Sequence, residues 1–255
     1  MEDTKALATT DEIKLPTTTA PQGARGFEEE DKGDLIIPRI KLVQDLSDER
    51  KNKLATAGDL INSLTKEKLS GNFIPVLKTS QNIKWRDRAD GGGILCRAYD
   101  GKTGIPADTT FPPKNCVVCG QCEFDNTKQG KEAQPLCTKY MNFLGFMEGE
   151  RFPIVLSFCR TYYAEGKRMF SLAKFSGKDM WATKYAVTTK EESKNKNDWF
   201  VIVVAPAGPT SKEDLEFAEN IYNMFRGQQL RIDDEDETSI PVASPSTGTA
   251  ANPEF

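Results

Sequence analysis

Histidine is absent from this 255-residue chain. Its absence removes the side chain most often used as a general base and proton shuttle, and it leaves thiolates and carboxylates as the side chains able to hold a metal ion. No apolar run approaches the ~20 residues that a membrane-spanning helix needs, and the N-terminus lacks the charged and hydrophobic regions of a signal peptide. No membrane partner is expected, and a reducing, cytoplasmic setting is. A phosphate-cradling glycine loop is missing too, since Gly91-Gly92-Gly93 is not followed by the Lys-Ser/Thr pair that completes one. The chain therefore reads as a binding protein rather than an enzyme. Asp87 and Asp90 beside that turn are the acids a magnesium-dependent nuclease would use, a weaker alternative because two acids near a turn are usually solvated.

Cysteine is concentrated. Five of the six lie between Cys96 and Cys137, three of them in Cys116-Val-Val-Cys119-Gly-Gln-Cys122. C-x-x-C spacing lets one tight knuckle present two sulfurs to one ion, and Gly120 frees the backbone to turn. Without histidine, the expectation is a structural all-cysteine zinc site using four of Cys96, Cys116, Cys119, Cys122 and Cys137. One candidate set is Cys116, Cys119, Cys122 and Cys137; another joins Cys119 and Cys122 to Cys96 and Cys137. Sets containing both Cys96 and Cys137 are preferred, because these residues adjoin strand-like segments and zinc between them would staple the base of an inserted subdomain. Reduced thiols or disulfides are the plainer reading. Cys159, within an apolar run, is expected as a buried apolar residue.

Residues 1–33 and 233–255 are poor in large apolar side chains and are expected to be disordered, leaving residues 34–232 as the domain. Charge is uneven: residues 1–71 carry a net −3, residues 72–205 a net +6 and residues 206–255 a net −7. The acidic whole hides a basic middle, which suggests an anionic partner.

That middle reads mostly as strand. Asn72 to Leu77, Asn82 to Arg86, Ile94 to Tyr99 before the turn signal Asp100-Gly101, Tyr140 to Met147 and Phe152 to Tyr163 are strand-like. Ala164-Glu165-Gly166-Lys167 is expected to turn a hairpin into a strand from Arg168 to Lys174, and Trp199 to Val204 is the clearest buried strand. A closing helix begins at the cap Ser211, places Leu215, Ala218, Ile221, Tyr222 and Phe225 on one face, and stops at Gly227. The expected fold is mainly β with a C-terminal helix: an OB-like Greek-key barrel with an inserted four-cysteine zinc subdomain at about residues 96–137 and disordered termini.

Cations and aromatics recur together on these segments. Lys84, Trp85, Arg86 and Arg88 form one group, Arg97 and Tyr99 a second, and Arg160, Tyr162, Tyr163, Lys167, Arg168 and Phe170 a third, with Trp181, Lys184 and Tyr185 as an extension. Cations neutralise successive phosphates and aromatic faces stack on unpaired bases, so the pattern suits single-stranded nucleic acid. After the helix, Asp233 to Glu237 and the terminal Phe255 form an acidic tail suited to recruiting other proteins.

The basic aromatic core, the cysteine insert and the acidic tail ending in Phe255 together resemble phage-type single-stranded DNA-binding proteins. Trp85 to Gly93 and Cys137 to Phe143 also look like segments of phage replication-region proteins. The resemblance spans about residues 35–230 plus the tail. It implies an OB-fold core, a structural zinc, and a role in coating single strands during DNA replication, recombination or repair in the infected cell. Replication or recombination proteins would dock on the tail. A zinc-containing transcription regulator or polymerase-binding adaptor is the alternative.

Overall fold

The computed structural model describes residues 36–194, 197–228, 230 and 232. The termini expected to be disordered, the acidic tail and Phe255 lie outside the described residues, as does the side chain of Arg88. Strands β1 (Ile40–Leu42) and β2 (Leu60–Asn62) form a small antiparallel pair around helix α1 (Asp48–Lys51). The main sheet holds β3 (Asn72–Trp85), β4 (Ile94–Ala98), β5 (Thr103–Pro106) and β6 (Lys114–Asn115), followed by the short helix α2 (Cys116–Cys119). Next come β7 (Cys137–Met147), β8 (Ile154–Cys159), helix α3 (Tyr163–Phe175), the long hairpin β9 (Thr183–Lys194) and β10 (Asn197–Pro209), and helix α4 (Lys212–Phe225).

The chain is mainly β, antiparallel, with a C-terminal helix. The two short strands expected at 72–77 and 82–86 are one 14-residue strand, β3, and it organises the sheet. Along one edge β3 pairs with β7 from Phe73↔Met147 to Lys84↔Cys137. Its other edge is shared: Asn72 and Phe73 pair with β9, whereas Asn82 to Trp85 pair with β4. A strand whose edge is divided between two partners forks the sheet instead of rolling it up. The closed barrel expected from the strand count is accordingly not found among the described residues, and β6, β8 and β10 each have one strand partner.

Alternation along β3, β7 and β8 builds a core on each face of the sheet. Phe73, Phe143, Leu156 and Phe158 face α3 and the β9–β10 hairpin, while Ile74, Leu144, Phe146 and Val155 face Ala218, Ile221 and Phe225 of α4. The closing helix starts where its sequence signals place it: Ser211 Oγ accepts from the Asp214 backbone N–H at 3.1 Å and donates to the Asp214 carboxylate at 2.8 Å. Gly227, at φ +74°, follows its last turn.

The turn expected at 164–167 and the strand expected at 168–174 are instead one helix. Residues 163–175 contain no β-branched side chain and are rich in Ala, Lys, Glu, Leu and Met, good helix formers. Gly166, Met169 and Ala173 are its buried positions, at helical spacing. Gly166 is there for contact and not for a turn: a Cβ on it would lie 2.8 Å from Phe158 Cβ.

Gly145 marks the tightest point between β7 and β3. A Cβ there would lie 2.1 Å from the Ile74 carbonyl oxygen and 2.6 Å from Phe73 Cζ. Gly145→Ala forces backbone apart in the middle of the sheet, and we expect it to destabilise the fold by about 2 to 3 kcal/mol. Chemical denaturation checks this; an unchanged midpoint would contradict the packing described.

Candidate nucleic-acid interface and cysteine cluster

A cleft of about 1240 Å³ opens between the end of β3, the glycine loop after it, β1, the end of β8 and the start of β10. Four cations line it, Arg39, Lys41, Arg86 and Arg160, together with four aromatics, Trp85, Tyr140, Tyr162 and Trp199. Among the described residues no carboxylate does. The indole N–H groups of Trp85 and Trp199 are buried with no hydrogen-bond partner, which is costly unless a bound molecule supplies an acceptor.

Backbone conformation shapes the cleft. Gly91, Gly92 and Gly93 take φ of +92°, +68° and +87°, a run that side chains with a Cβ resist. The loop is closed by the Arg86 N–H donating to the Gly93 carbonyl at 2.8 Å. Asp87 Oδ1 accepts from the Ala89 backbone N–H at 3.1 Å, so this acid shapes the turn. Arg160, at φ +47°, is left-handed without being glycine; strain of this kind concentrates at functional sites, and here it ends β8 in the cleft.

Cross-strand partners share a face of a sheet. Gln81, Tyr140 and Cys159 form one row across β3, β7 and β8, and Thr79, Asn142 and Ser157 form the next. Ile83 pairs with Arg97 of β4 on the same face. A second pocket, about 460 Å³ and lined by Gln81, Asn142 and Tyr99 among others, therefore adjoins the cleft across β7.

Lys41 is tethered. Its Nζ lies 2.8 Å from Glu49, a carboxylate 5% exposed that Lys66 also contacts at 3.2 Å. Burial pushes the Glu49 pKa up, but the hydrogen bonds from Lys41, its own backbone and Lys66 prevail and hold it at about 2, below the ordinary 4.5. A depressed folded-state pKa gives stability that is complete above the unfolded value and lost as pH falls toward the folded one. We expect stability to drop by about 2 to 3 kcal/mol between pH ~4.5 and ~2 from this group, and Glu49→Gln to remove that part of the slope in pH-resolved denaturation.

The cysteine insert sits on the other face. Lys84 pairs with Cys96 of β4 on one side and Cys137 of β7 on the other, so the two cysteines flank one lysine at the base of the insert. Asn115 caps α2, accepting from the Val117 N–H at 2.9 Å, and Gly120, at φ +71°, turns the chain out of it. The Cys116–Cys119 segment is thus a knuckle of the kind its spacing predicts. All six cysteines are free thiols. Burial and the neighbouring sulfurs of Cys116, Cys137 and Cys119 raise the Cys96 pKa. Burial and a hydrogen bond toward Cys137 push Cys122 up to about 12, and burial raises Cys137 despite that bond. Among the described residues no group of three or more His, Cys, Asp or Glu side chains is placed so as to hold a metal ion. Gly104 clears space beside two of these sulfurs: a Cβ there would lie 2.8 Å from Cys96 Sγ and 3.6 Å from Cys116 Sγ.

Of the residues expected to contact nucleic acid, Trp85, Arg86, Arg160 and Tyr162 meet in the cleft. Tyr99 lines the second pocket, and Arg97 is buried with its guanidinium 5.2 Å from the Tyr99 ring. The rest are elsewhere. Lys84 faces the cysteines. Tyr163, Lys167, Arg168 and Phe170 are on α3, where Lys167 lies over Tyr163 at 5.4 Å, Arg168 pairs with Glu165 and Phe170 meets Lys78. Trp181 packs 5.2 Å from Tyr222, Lys184 pairs with Glu148, and Tyr185 is core. Arg39, Lys41, Tyr140 and Trp199 were not singled out from sequence. Arg39-Ile40-Lys41-Leu42 carries a signal, a strict polar and apolar alternation.

No helix among the described residues is long and apolar enough to cross a membrane. Compared with known proteins, residues 8–231 match a family described as Pam3 phage gp34-like protein. No curated protein and no solved structure matches the chain.

Proposed function

The chain belongs to the Pam3 phage gp34-like protein family, and from that premise we propose that it binds single-stranded DNA in the infected cell, protecting it during replication, recombination or repair. The observation that carries this reading is the cleft in which four cations and four aromatics meet. Cations along such a cleft neutralise phosphates, and the aromatics offer stacking faces that a duplex, with its bases already stacked, does not use. No bond is made or broken. OB-type binding proteins work by the same combination, although the sheet here is forked.

Zinc serves as a brace. Cys96, Cys116, Cys119 and Cys137 are its proposed ligands, because Gly104 leaves the first two sulfurs room side by side and strand pairing sets Cys96 and Cys137 on either side of Lys84. Cys122 stays a thiol that donates to Cys137. When bound, the ion would supply a tetrahedral crosslink that ties α2 to the β3–β4 hairpin, whose tip carries Arg86 and the glycine loop. The acidic tail and Phe255 would recruit replication or recombination proteins.

A partner-binding adaptor is the second reading, favoured by Val117 and Val118, which stand 84% and 87% exposed on the knuckle. Competition separates the two. A labelled oligo-dT bound to the full chain should be displaced by unlabelled single-stranded DNA, far less by duplex, with RNA as the third competitor. Equal displacement by duplex would overturn the single-strand proposal, and no oligonucleotide binding at low salt would favour the adaptor.

A further inference from the structure

We propose that the 460 Å³ pocket between β3, β5 and β7 holds one unpaired nucleobase of the bound strand, read by the side-chain amides of Gln81 and Asn142 against the ring of Tyr99. The inference rests on the single-strand reading of the neighbouring cleft.

Three observations support it. Gln81 and Asn142 are 6% and 2% exposed, yet their hydrogen bonding is incomplete. Asn142 Nδ2 donates to Gln81 Oε1 at a long 3.4 Å, which leaves Asn142 Oδ1 buried without a partner and the Gln81 amide nitrogen with none among the described residues. An acceptor beside a donor is the complement of the adjacent donor and acceptor on the Watson–Crick edge of a base.

The pocket is also the wrong place for phosphate. Among the described residues no Lys or Arg lines it, and the one carboxylate, Asp100, accepts through Oδ1 from the backbone N–H groups of Lys102 and Thr103, each at 2.7 Å. A neutral heterocycle suits such a lining; an anion does not. Position completes the argument. Gln81 pairs across β3 and β7 with Tyr140, which lines the cationic cleft, so a strand whose backbone follows the cleft passes the mouth of the pocket. Phosphates and base would then be held by separate walls of one sheet face.

Nitrogen-15 NMR of the full chain tests this with phosphate-free deoxycytidine, inorganic phosphate and an oligo-dC in parallel. The nucleoside should shift the side-chain amide signals of Gln81 and Asn142 saturably, and phosphate should not. Tyr99→Leu should weaken nucleoside binding about tenfold, the loss expected for one stacking partner. Unmoved amide signals with the nucleoside, in a chain that does bind the oligonucleotide, would overturn the pocket and leave the cleft standing. Failure of the oligonucleotide to bind at low salt would sink the cleft, while the nucleoside titration still decides the pocket on its own. Because the decisive titration uses the unaltered protein, it stands even if a pocket variant fails to fold.

Discussion

Replacing Trp85 and Trp199 together with alanine is expected to weaken binding of a short oligo-dT by at least about 30-fold at low salt, since each lost base–aromatic stack is worth roughly 1 to 3 kcal/mol. The two indoles come from distant parts of the sequence and line one cleft, and neither N–H has a partner in the protein. The matched control is Trp181→Ala. Trp181 packs on Tyr222 beside α4, so its loss should lower stability and leave affinity within about twofold once folded protein is counted. Equilibrium titrations of the variants check both statements. Equal losses at Trp181 and at the cleft pair would mean that binding tracks general stability and not the cleft.

Cys137→Ser should abolish zinc binding and lower the melting temperature, whereas Cys122→Ser should keep the metal with reduced affinity. The contrast follows from their places. Cys137 starts β7 across Lys84 from Cys96. Cys122 is buried outside that pairing, its pKa raised to about 12 first by burial and then by its neighbours Cys137 and Cys116. A structural thiolate site typically contributes on the order of 10 kcal/mol to the folding of the segment it closes, so a lost ligand is felt strongly. Elemental analysis of both variants, with about one zinc per chain expected for the parent, is the measurement. Metal lost from Cys122→Ser and retained by Cys137→Ser would reverse the assignment of ligands.

Much of this was legible from local chemistry. Ser211, Asp214 and the apolar spacing after them specify α4, and Cys116, Cys119 and Gly120 specify the knuckle, because caps and tight turns depend on a few adjacent residues. Two things were not legible. Ala164-Glu165-Gly166-Lys167 reads as a turn when glycine is taken as a breaker, but Gly166 is set by the ring of Phe158 from another element. β9 ends in Lys190-Glu191-Glu192-Ser193-Lys194, which has the composition of a loop and is a strand because β10 pairs with it. The cleft was half visible for the same reason. Trp85 and Arg86 stand in a basic aromatic run, whereas Arg39 and Trp199 join them through strand pairing that no single segment records.

The most direct test of the account is intrinsic tryptophan fluorescence of the full chain during titration with oligo-dT, followed by a salt titration of the complex. Saturable quenching at low salt, reversed steeply as salt rises, is the result predicted for phosphates on Arg39, Arg86 and Arg160 and bases on Trp85 and Trp199. Fluorescence unchanged by oligo-dT at low salt, with the protein folded and zinc-loaded, would contradict it.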